Sequence, residues 1–401
     1  MKARVLSAVA FGLLVVACGG GSAPPPKSAA PAANVLPPAN PQAVGKMVQG
    51  VQASKDGQRD RAIALLREAI TLDPALWEAH YDLGVVLVGA GDLAGAEDEL
   101  KTAARLAPDA EEVATALGEL RRRRGEFKEA ADALGDFLQT HPNATEARIL
   151  EVTALRDSGQ LDLALKQARE VLIRKPGDAG ALAELALTHL AKGERDTASL
   201  LAKQALDANP KSAIAERATG LIALAGGDDA AAFTAFSKAA QLDPKDTTAR
   251  LNMGAVLQRA GAYPKAAEQY RAILQVSPDD ASAQVGLAAA LRGEEAPGSK
   301  STQKLDEAKS LLEKVLDRDA HNVAANFNMG VLLADFFKKP VEARPYFQRF
   351  LEDAPSGHPA RADADRYIAQ ANAAAPPPPP APAAPAPGAG AAKPPPKGGN
   401  P

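Results

Sequence analysis

A proline recurs every 34 residues through the middle of the chain, and this spacing constrains the fold more than any other feature. Seven prolines share it: Pro74, Pro108, Pro142, Pro176, Pro210, Pro244 and Pro278. An alanine follows 22 residues after the first six of them, and a glycine follows ten residues after four. A fixed period of this length is typical of a repeat protein, in which each unit is one supersecondary element that stacks on the next.

These three markers resemble the tetratricopeptide repeat (TPR), a helix-turn-helix unit with Gly or Ala at position 8, Ala at position 20 and Pro at position 32. Positions 8 and 20 lie where helices A and B cross, so only small side chains allow close approach there. Proline cannot continue helix B, and its fixed φ suits the turn that follows. The resemblance implies an all-α fold, a right-handed TPR solenoid of nine repeats: 43–76, 77–110, 111–144, 145–178, 179–212, 213–246, 247–280, 281–322 and 323–357.

The last two repeats depart from the regular pattern. The eighth keeps Ala288 and Ala308 but carries eight extra residues in its A–B turn, and it has Ala320 where proline is expected. The ninth carries one extra residue near Pro340. We expect residues 358–375 to form an amphipathic capping helix, because a solenoid needs a terminal element with a polar outer face.

A short apolar run near the N-terminus ends in Cys18, the only cysteine of the 401 residues. Lys2 and Arg4 precede the run, whose thirteen uncharged residues would rise about 20 Å as a helix, less than the roughly 30 Å of a hydrocarbon core. A basic start, a short apolar stretch and a small residue at its end are typical of an export signal that is removed.

The residues "VVAC" at 15–18 resemble the lipobox of bacterial lipoproteins. The resemblance implies that residues 1–17 are a signal peptide, that cleavage falls between Ala17 and Cys18, and that Cys18 carries the lipid, including palmitate-type acyl chains. The alternative is an ordinary secretory signal with a chance cysteine. Gly19 stands where many inner-membrane lipoproteins have aspartate, which favours the periplasmic face of the outer membrane.

The two ends of the chain have compositions that favour disorder. Residues 18–42 are rich in Ala, Pro, Gly and Ser and are expected to be a flexible linker between lipid and solenoid. Residues 376–401 contain twelve prolines and are expected to be largely polyproline II. This Pro/Ala-rich tail is either a solvated spacer or a docking segment for peptidoglycan or a protein domain, through Lys393 and Lys397.

The sequence offers no arrangement of residues for catalysis. The formal net charge of −3 gives no footprint for nucleic acid. The five histidines fall in different repeats or turns without ligand spacing, so we predict no metal site. Neither a Gly-rich phosphate loop after a strand nor a nucleophile elbow is present. We therefore predict a protein that is not an enzyme and that uses no cofactor.

In the TPR family, partners lie along the concave face, which is lined by helix A. Positions 5 and 9 of the repeats are mostly apolar here, which favours a groove for an amphipathic helix or an extended peptide; alternatively, these residues pack on the neighbouring A helix. The lysine and asparagine set that clamps a C-terminal carboxylate in chaperone-binding members is missing. The candidate partner-binding residues are Tyr81, Asp82, Arg217, Asn252, Phe327 and Asn328.

Two further patterns remain open to two interpretations each. Asn252 and Asn328, at position 6, either hydrogen-bond a bound peptide backbone, as in peptide-binding members, or are ordinary consensus residues. Arg121 to Arg124 end a helix opposite an acidic row at position 2 formed by Glu78, Glu112 and Glu146. They either complement the helix dipole or contact a partner or a lipid head group.

The architecture resembles the TPR lipoproteins of the gliding-motility apparatus. The resemblance implies a membrane-anchored scaffold whose partners are envelope proteins and which helps to assemble a multiprotein machine. Pilotins of type IV pilus secretins are an alternative, but they usually have about six repeats. Regulation of peptidoglycan or outer-membrane biogenesis is another. Nine repeats and the tail favour the gliding type.

Overall fold

The computed structural model describes residues 38–244, 246–295 and 303–374. The proposed signal peptide, Cys18, most of the linker, the centre of the insertion in repeat eight and the tail lie outside these residues. Within them the chain forms nineteen α-helices and no strand, which confirms the all-α expectation. The helices are α1 Pro41–Lys55, α2 Arg59–Leu72, α3 Trp77–Ala90, α4 Leu93–Leu106, α5 Glu111–Arg123, α6 Phe127–Thr140, α7 Thr145–Asp157, α8 Leu161–Arg174, α9 Ala179–Ala191, α10 Arg195–Ala208, α11 Ala213–Ala225, α12 Asp229–Leu242, α13 Thr247–Arg259, α14 Tyr263–Val276, α15 Ala281–Gly293, α16 Gln303–Arg318, α17 Val323–Val331, α18 Pro340–Asp353 and α19 Arg361–Ala374.

Successive helices pair into helix-turn-helix units, with the odd-numbered helices α1 to α17 as helix A and the even-numbered helices as helix B. Seven A–B turns each contain a glycine with φ between +72° and +81°, a conformation that a side chain disfavours: Gly57, Gly91, Gly125, Gly159, Gly193, Gly227 and Gly261. These glycines also recur every 34 residues and are a fourth periodic marker, which the proline, alanine and glycine pattern above does not include.

The small residues of the pattern lie at the crossings of the helices. Ala62, Ala96 and Ala130 of the B helices are fully buried. On the A helices, a Cβ atom added to Gly50, Gly84 or Gly118 would lie only 2.6–2.9 Å from a leucine of the paired B helix. Because close-packed interiors leave few voids, a larger residue at these positions would separate the two helices.

Polar side chains of the A helices hydrogen-bond the turns that precede them, at position 32, which is a proline in three cases and Ala320 in the fourth. Four residues at position 4 donate to the carbonyl oxygen six residues earlier, with donor–acceptor distances of 2.8–3.2 Å. They are His80, Arg148, Gln284 and Asn326, all buried. Since a buried carbonyl without a partner is costly, these contacts give His80 a structural role.

The last repeats show how the chain adapts to an irregular length. A five-residue π-helical segment, Leu332–Phe336, follows α17, and Lys338 after it has a φ of 57°. A π-helical turn is the usual way to insert one residue into a helix. It therefore takes up the extra residue, which the sequence places slightly later, near Pro340. Beyond it, α19 stacks Tyr367 on Phe347 with ring centroids 4.7 Å apart.

Within the described ranges, every helix is too short or too polar to cross a bilayer.

Candidate partner-binding face

The A helices line the inner side of the solenoid. Consecutive A helices pack on one another directly, for example α5 on α7 and α9 on α11, whereas the B helices mainly contact the A helices on either side of them. A stack whose A helices lie closer together than its B helices curves toward the A side. The A helices therefore provide the concave face.

A group of neighbouring carboxylates lies on this face in repeats two to four. Asp82 lies with the three glutamates of the predicted row, and from here on the acidic row means these four carboxylates, Glu78, Asp82, Glu112 and Glu146, near Tyr81. Burial, followed by the charges of three of these carboxylates, raises the pKa of the Tyr81 hydroxyl. Glu146 is two repeats away in sequence and still acts on Tyr81, so the row is one continuous patch.

The acidic row is not neutralised by the protein itself. None of its four carboxylates makes an ion pair with any residue that the structure describes. Burial and the neighbouring charge of Glu78 raise the pKa of Asp82 to about 6, and Lys55 offsets this in part. Like charges that repel one another and form no ion pair favour a positively charged partner.

The remaining predicted partner-binding residues lie in later repeats. Their side chains make hydrogen bonds, ion pairs or ring contacts within the chain. Arg217 of α11 pairs at 2.8 Å with Asp246, the last residue of repeat six, which caps the N-terminus of α13. Asn252 donates its side-chain amide to the Thr248 carbonyl at 2.9 Å. Both side chains therefore make a contact within the chain, in repeats other than the one that holds Tyr81 and Asp82.

The two predicted residues of repeat nine are held by their own repeat and its neighbour. Asn328 donates to the Ala324 carbonyl at 2.9 Å and accepts from Arg292 Nη1 at 3.1 Å. The ring of Phe327 lies 5.0 Å from Phe350 and is half-buried in the hydrophobic cluster of this end of the solenoid. Both residues therefore stabilise packing, in addition to any contact with a partner.

The arginine run ties three repeats together. Arg122 bridges Glu119 at 2.6 Å and Asp157 at 2.7 Å, so it connects α5 to α7. Arg124 pairs with Glu97 of α4 and with Glu126. From the sequence, these arginines complement the helix dipole or contact a partner or a lipid head group. The ion pairs between repeats are a third role, which a pattern within one repeat cannot predict.

One buried carboxylate, Glu151 of α7, is not among the residues predicted from the sequence. Its side chain is only 5% exposed; one oxygen accepts from Gln167 Nε2 at 3.3 Å, and the other oxygen has no hydrogen-bond partner. Burial raises its pKa to about 7. A signal was present in the sequence, because most repeats have Leu or Met at this position, namely Leu83, Leu117, Leu185, Met253, Leu287 and Met329.

The described ranges contain no group of three or more His, Cys, Asp or Glu side chains that could hold a metal ion.

Similar proteins are found among solved structures and among family models. No curated protein matches the chain. Among solved structures, YrrB, described as a TPR protein with an unusual peptide-binding site, is 27% identical over 43% of this chain and 89% of its own, with a TM-score of 0.35. PilW, a type IV pilus biogenesis factor, is 21% identical over 55% of this chain and 100% of its own, with a TM-score of 0.43.

A third solved structure, the pilF protein of Pseudomonas aeruginosa, is 18% identical over 56% of this chain and 97% of its own, with a TM-score of 0.46. Two tetratricopeptide repeat family models match, one over residues 53–120 and the other over 115–179, 183–247, 251–297 and 301–358. These matches extend over more than half of the chain, which therefore belongs to the tetratricopeptide repeat family.

Proposed function

We propose that this chain is a non-catalytic, lipid-anchored scaffold on the periplasmic face of the outer membrane, and that it holds partner proteins of a multiprotein envelope machine on its concave face. One observation supports the binding role: on the inner face of a TPR solenoid, the four carboxylates of the acidic row form no ion pair with any residue that the structure describes. The "VVAC" residues support the anchor, since several acyl chains hold a protein where one binds only marginally.

The chemistry of the inner face defines the partner segment that fits it. Val48 and Val85, on the A helices of repeats one and two, are 58% and 46% exposed and lie beside the acidic row in the repeat pattern. A segment that places lysine or arginine side chains on the carboxylates and apolar side chains on the valines would be complementary to both. We propose a helix or extended peptide of this composition as the partner.

A capture experiment tests the binding role. The variant Glu78→Gln/Asp82→Asn/Glu112→Gln/Glu146→Gln removes the charge of the acidic row. The matched control, Glu129→Gln/Asp132→Asn/Glu170→Gln/Glu268→Gln, removes the same charge from B helices. We expect the acidic-row variant to lose envelope partners that the wild type and the control retain after crosslinking. Equal capture by all three proteins would contradict a binding role for this face.

The lipid anchor is tested separately through Cys18. We expect Cys18→Ser to leave the protein uncleaved or mislocalised and to abolish incorporation of labelled palmitate. If the variant still fractionates with the outer membrane, the lipoprotein proposal is wrong, whatever the concave face binds.

The machine that we propose is motility-related, in line with the length of the repeat stack and the Pro/Ala-rich tail. A deletion strain should then lose surface motility while cell shape and envelope integrity are kept. Altered cell shape or antibiotic leakage would instead support a role in peptidoglycan or outer-membrane biogenesis.

A further inference from the structure

The solenoid closes on itself after about one superhelical turn, where repeats one and two meet the junction of repeats seven and eight. Arg59, the first residue of α2, donates from Nη2 to the carbonyl oxygen of Val276, the last residue of α14, at 2.8 Å. Gly91, in the turn after α3, lies so near Asp279 that an added Cβ atom would be 2.9 Å from the Asp279 Cβ. Residues about 200 positions apart in sequence are thus in contact.

The contact is held in place from the side of repeat eight. Asp279 Oδ1 pairs with Arg318 Nη1 at 2.7 Å, and the same nitrogen donates to the Asp279 carbonyl at 3.1 Å. Next to this contact, a cavity of about 520 Å³ separates the two edges of the solenoid, with Arg123 on one side and Thr248, Ser282 and Asn322 on the other. The two edges therefore touch locally rather than fusing into one core.

The contact is polar, whereas adjacent repeats share apolar cores. None of the hydrophobic clusters that the described residues form includes residues from both repeats one or two and repeats seven or eight. Exposed hydrogen bonds and ion pairs each add little stability, since water replaces them when they break. The two edges can therefore part without any repeat unfolding.

We propose that Arg59, Gly91, Val276, Asp279 and Arg318 form a latch that controls access to the concave face. With the latch closed, the inner face of repeats two to seven lies within a continuous turn that a partner segment enters from one end. With the latch open, the turn widens and the same face becomes accessible from the side. This inference goes beyond the proposed function and holds for a partner of any identity.

A crosslink tests the closed state directly. In a Cys18→Ser chain, Gly91→Cys/Asp279→Cys places two Cβ atoms 2.9 Å apart, so the two edges need to separate by only about 1 Å to reach the roughly 3.8 Å of a disulfide. The matched pair is Gly125→Cys/Asp279→Cys, because Gly125 has the same turn position with φ +77° and nothing near it. We expect most molecules of the first pair, and few of the second, to form the intramolecular disulfide. No disulfide in the first pair, or equal yields in both, would overturn the latch.

The open state is tested by size in solution. Both Gly91→Gln and Gly125→Gln place a side chain on a residue with positive φ, so both strain the backbone of their turn. Only Gly91→Gln also forces a side chain between the two edges of the solenoid. We expect the first variant to have a larger radius of gyration by small-angle X-ray scattering than the second, at equal helix content by circular dichroism. Equal radii for the two variants would contradict the proposal.

Discussion

The backbone of Gly220 lies directly against the ring of Phe236, and a Cβ atom on Gly220 would be 2.6 Å from the ring. This pair joins position 8 of helix A to position 24 of helix B, and seven other repeats balance the volume of the two positions in the same way. A glycine at position 8 faces leucine, tyrosine or phenylalanine, and a larger residue faces alanine. The pairs are Gly50 with Leu66, Gly84 with Leu100, Gly118 with Leu134, Val152 with Ala168, Ala186 with Ala202, Gly254 with Tyr270 and Gly330 with Phe347. Repeat eight departs from this rule, because its equivalent positions hold Ala288 and Leu312, both buried.

Gly220→Ala should destabilise the protein although alanine is the better helix former. The new methyl group would overlap the Phe236 ring, and such overpacking costs about 1–3 kcal/mol of unfolding free energy. Gly45→Ala in α1 is the control, because nothing lies within 4 Å of the added Cβ. The control should stabilise by up to about 1 kcal/mol. Urea unfolding followed by circular dichroism measures both; a neutral or stabilising Gly220→Ala would contradict the close contact.

The volume balance also predicts coupling between Val152 and Ala168. Ala168→Leu alone adds a large side chain opposite Val152, and Val152→Gly alone leaves a space beside Ala168, so each should destabilise repeat four. The double variant recreates the Gly–Leu pair of repeats one to three and should be less destabilised than the sum of the two single changes. A double-mutant cycle measures this difference. Strict additivity would show that the two positions do not share one space.

Glu151→Gln should stabilise the protein at alkaline pH. The pKa of Glu151 is about 7 in the folded chain against 4.5 for the free side chain, so the folded state binds the proton more tightly. The ionised Glu151 side chain therefore lowers the free energy of unfolding. This destabilisation is complete above pH 7 and disappears as the pH falls toward 4.5. We expect the variant to gain on the order of 2 kcal/mol over the wild type at pH 8.

The pH profile distinguishes this effect from a simple change of side chain. The difference between Glu151→Gln and the wild type should shrink between pH 8 and pH 5 in thermal or urea unfolding. Glu170→Gln, a change in the adjacent helix α8 at a carboxylate without an ion pair, should show no such trend. If this difference in unfolding free energy stays constant with pH, ionisation of Glu151 does not destabilise the folded protein.

The periodic residues were enough to predict the fold, because each one marks a backbone or packing constraint within a single repeat. A proline ends helix B, and a small residue lets two helices cross, so Ala96 or Gly84 can be interpreted without knowledge of the neighbours. A helix is also present in the segment 358–375, where α19 spans Arg361–Ala374; its role as a cap of the solenoid stays a prediction.

Contacts between repeats could not be predicted in this way. Arg59 and Gly91 resemble ordinary residues of their repeats, and their contact with Val276 and Asp279 arises only from the accumulated curvature of the stack. The ion pairs of Arg122 likewise depend on the rotation between adjacent repeats. Glu151 is different, because a carboxylate at a position otherwise held by leucine or methionine was visible in the sequence.

Photo-crosslinking from position 81 tests the central claim, that partners bind the concave face at the acidic row. A photoreactive phenylalanine replaces Tyr81 in one strain and Ile173, which is 73% exposed on helix B of repeat four, in another. We expect discrete adducts with envelope proteins from position 81, lost when the acidic row is neutralised, and none of these adducts from position 173. The same adducts from both positions, or adducts from position 173 alone, would contradict the claim.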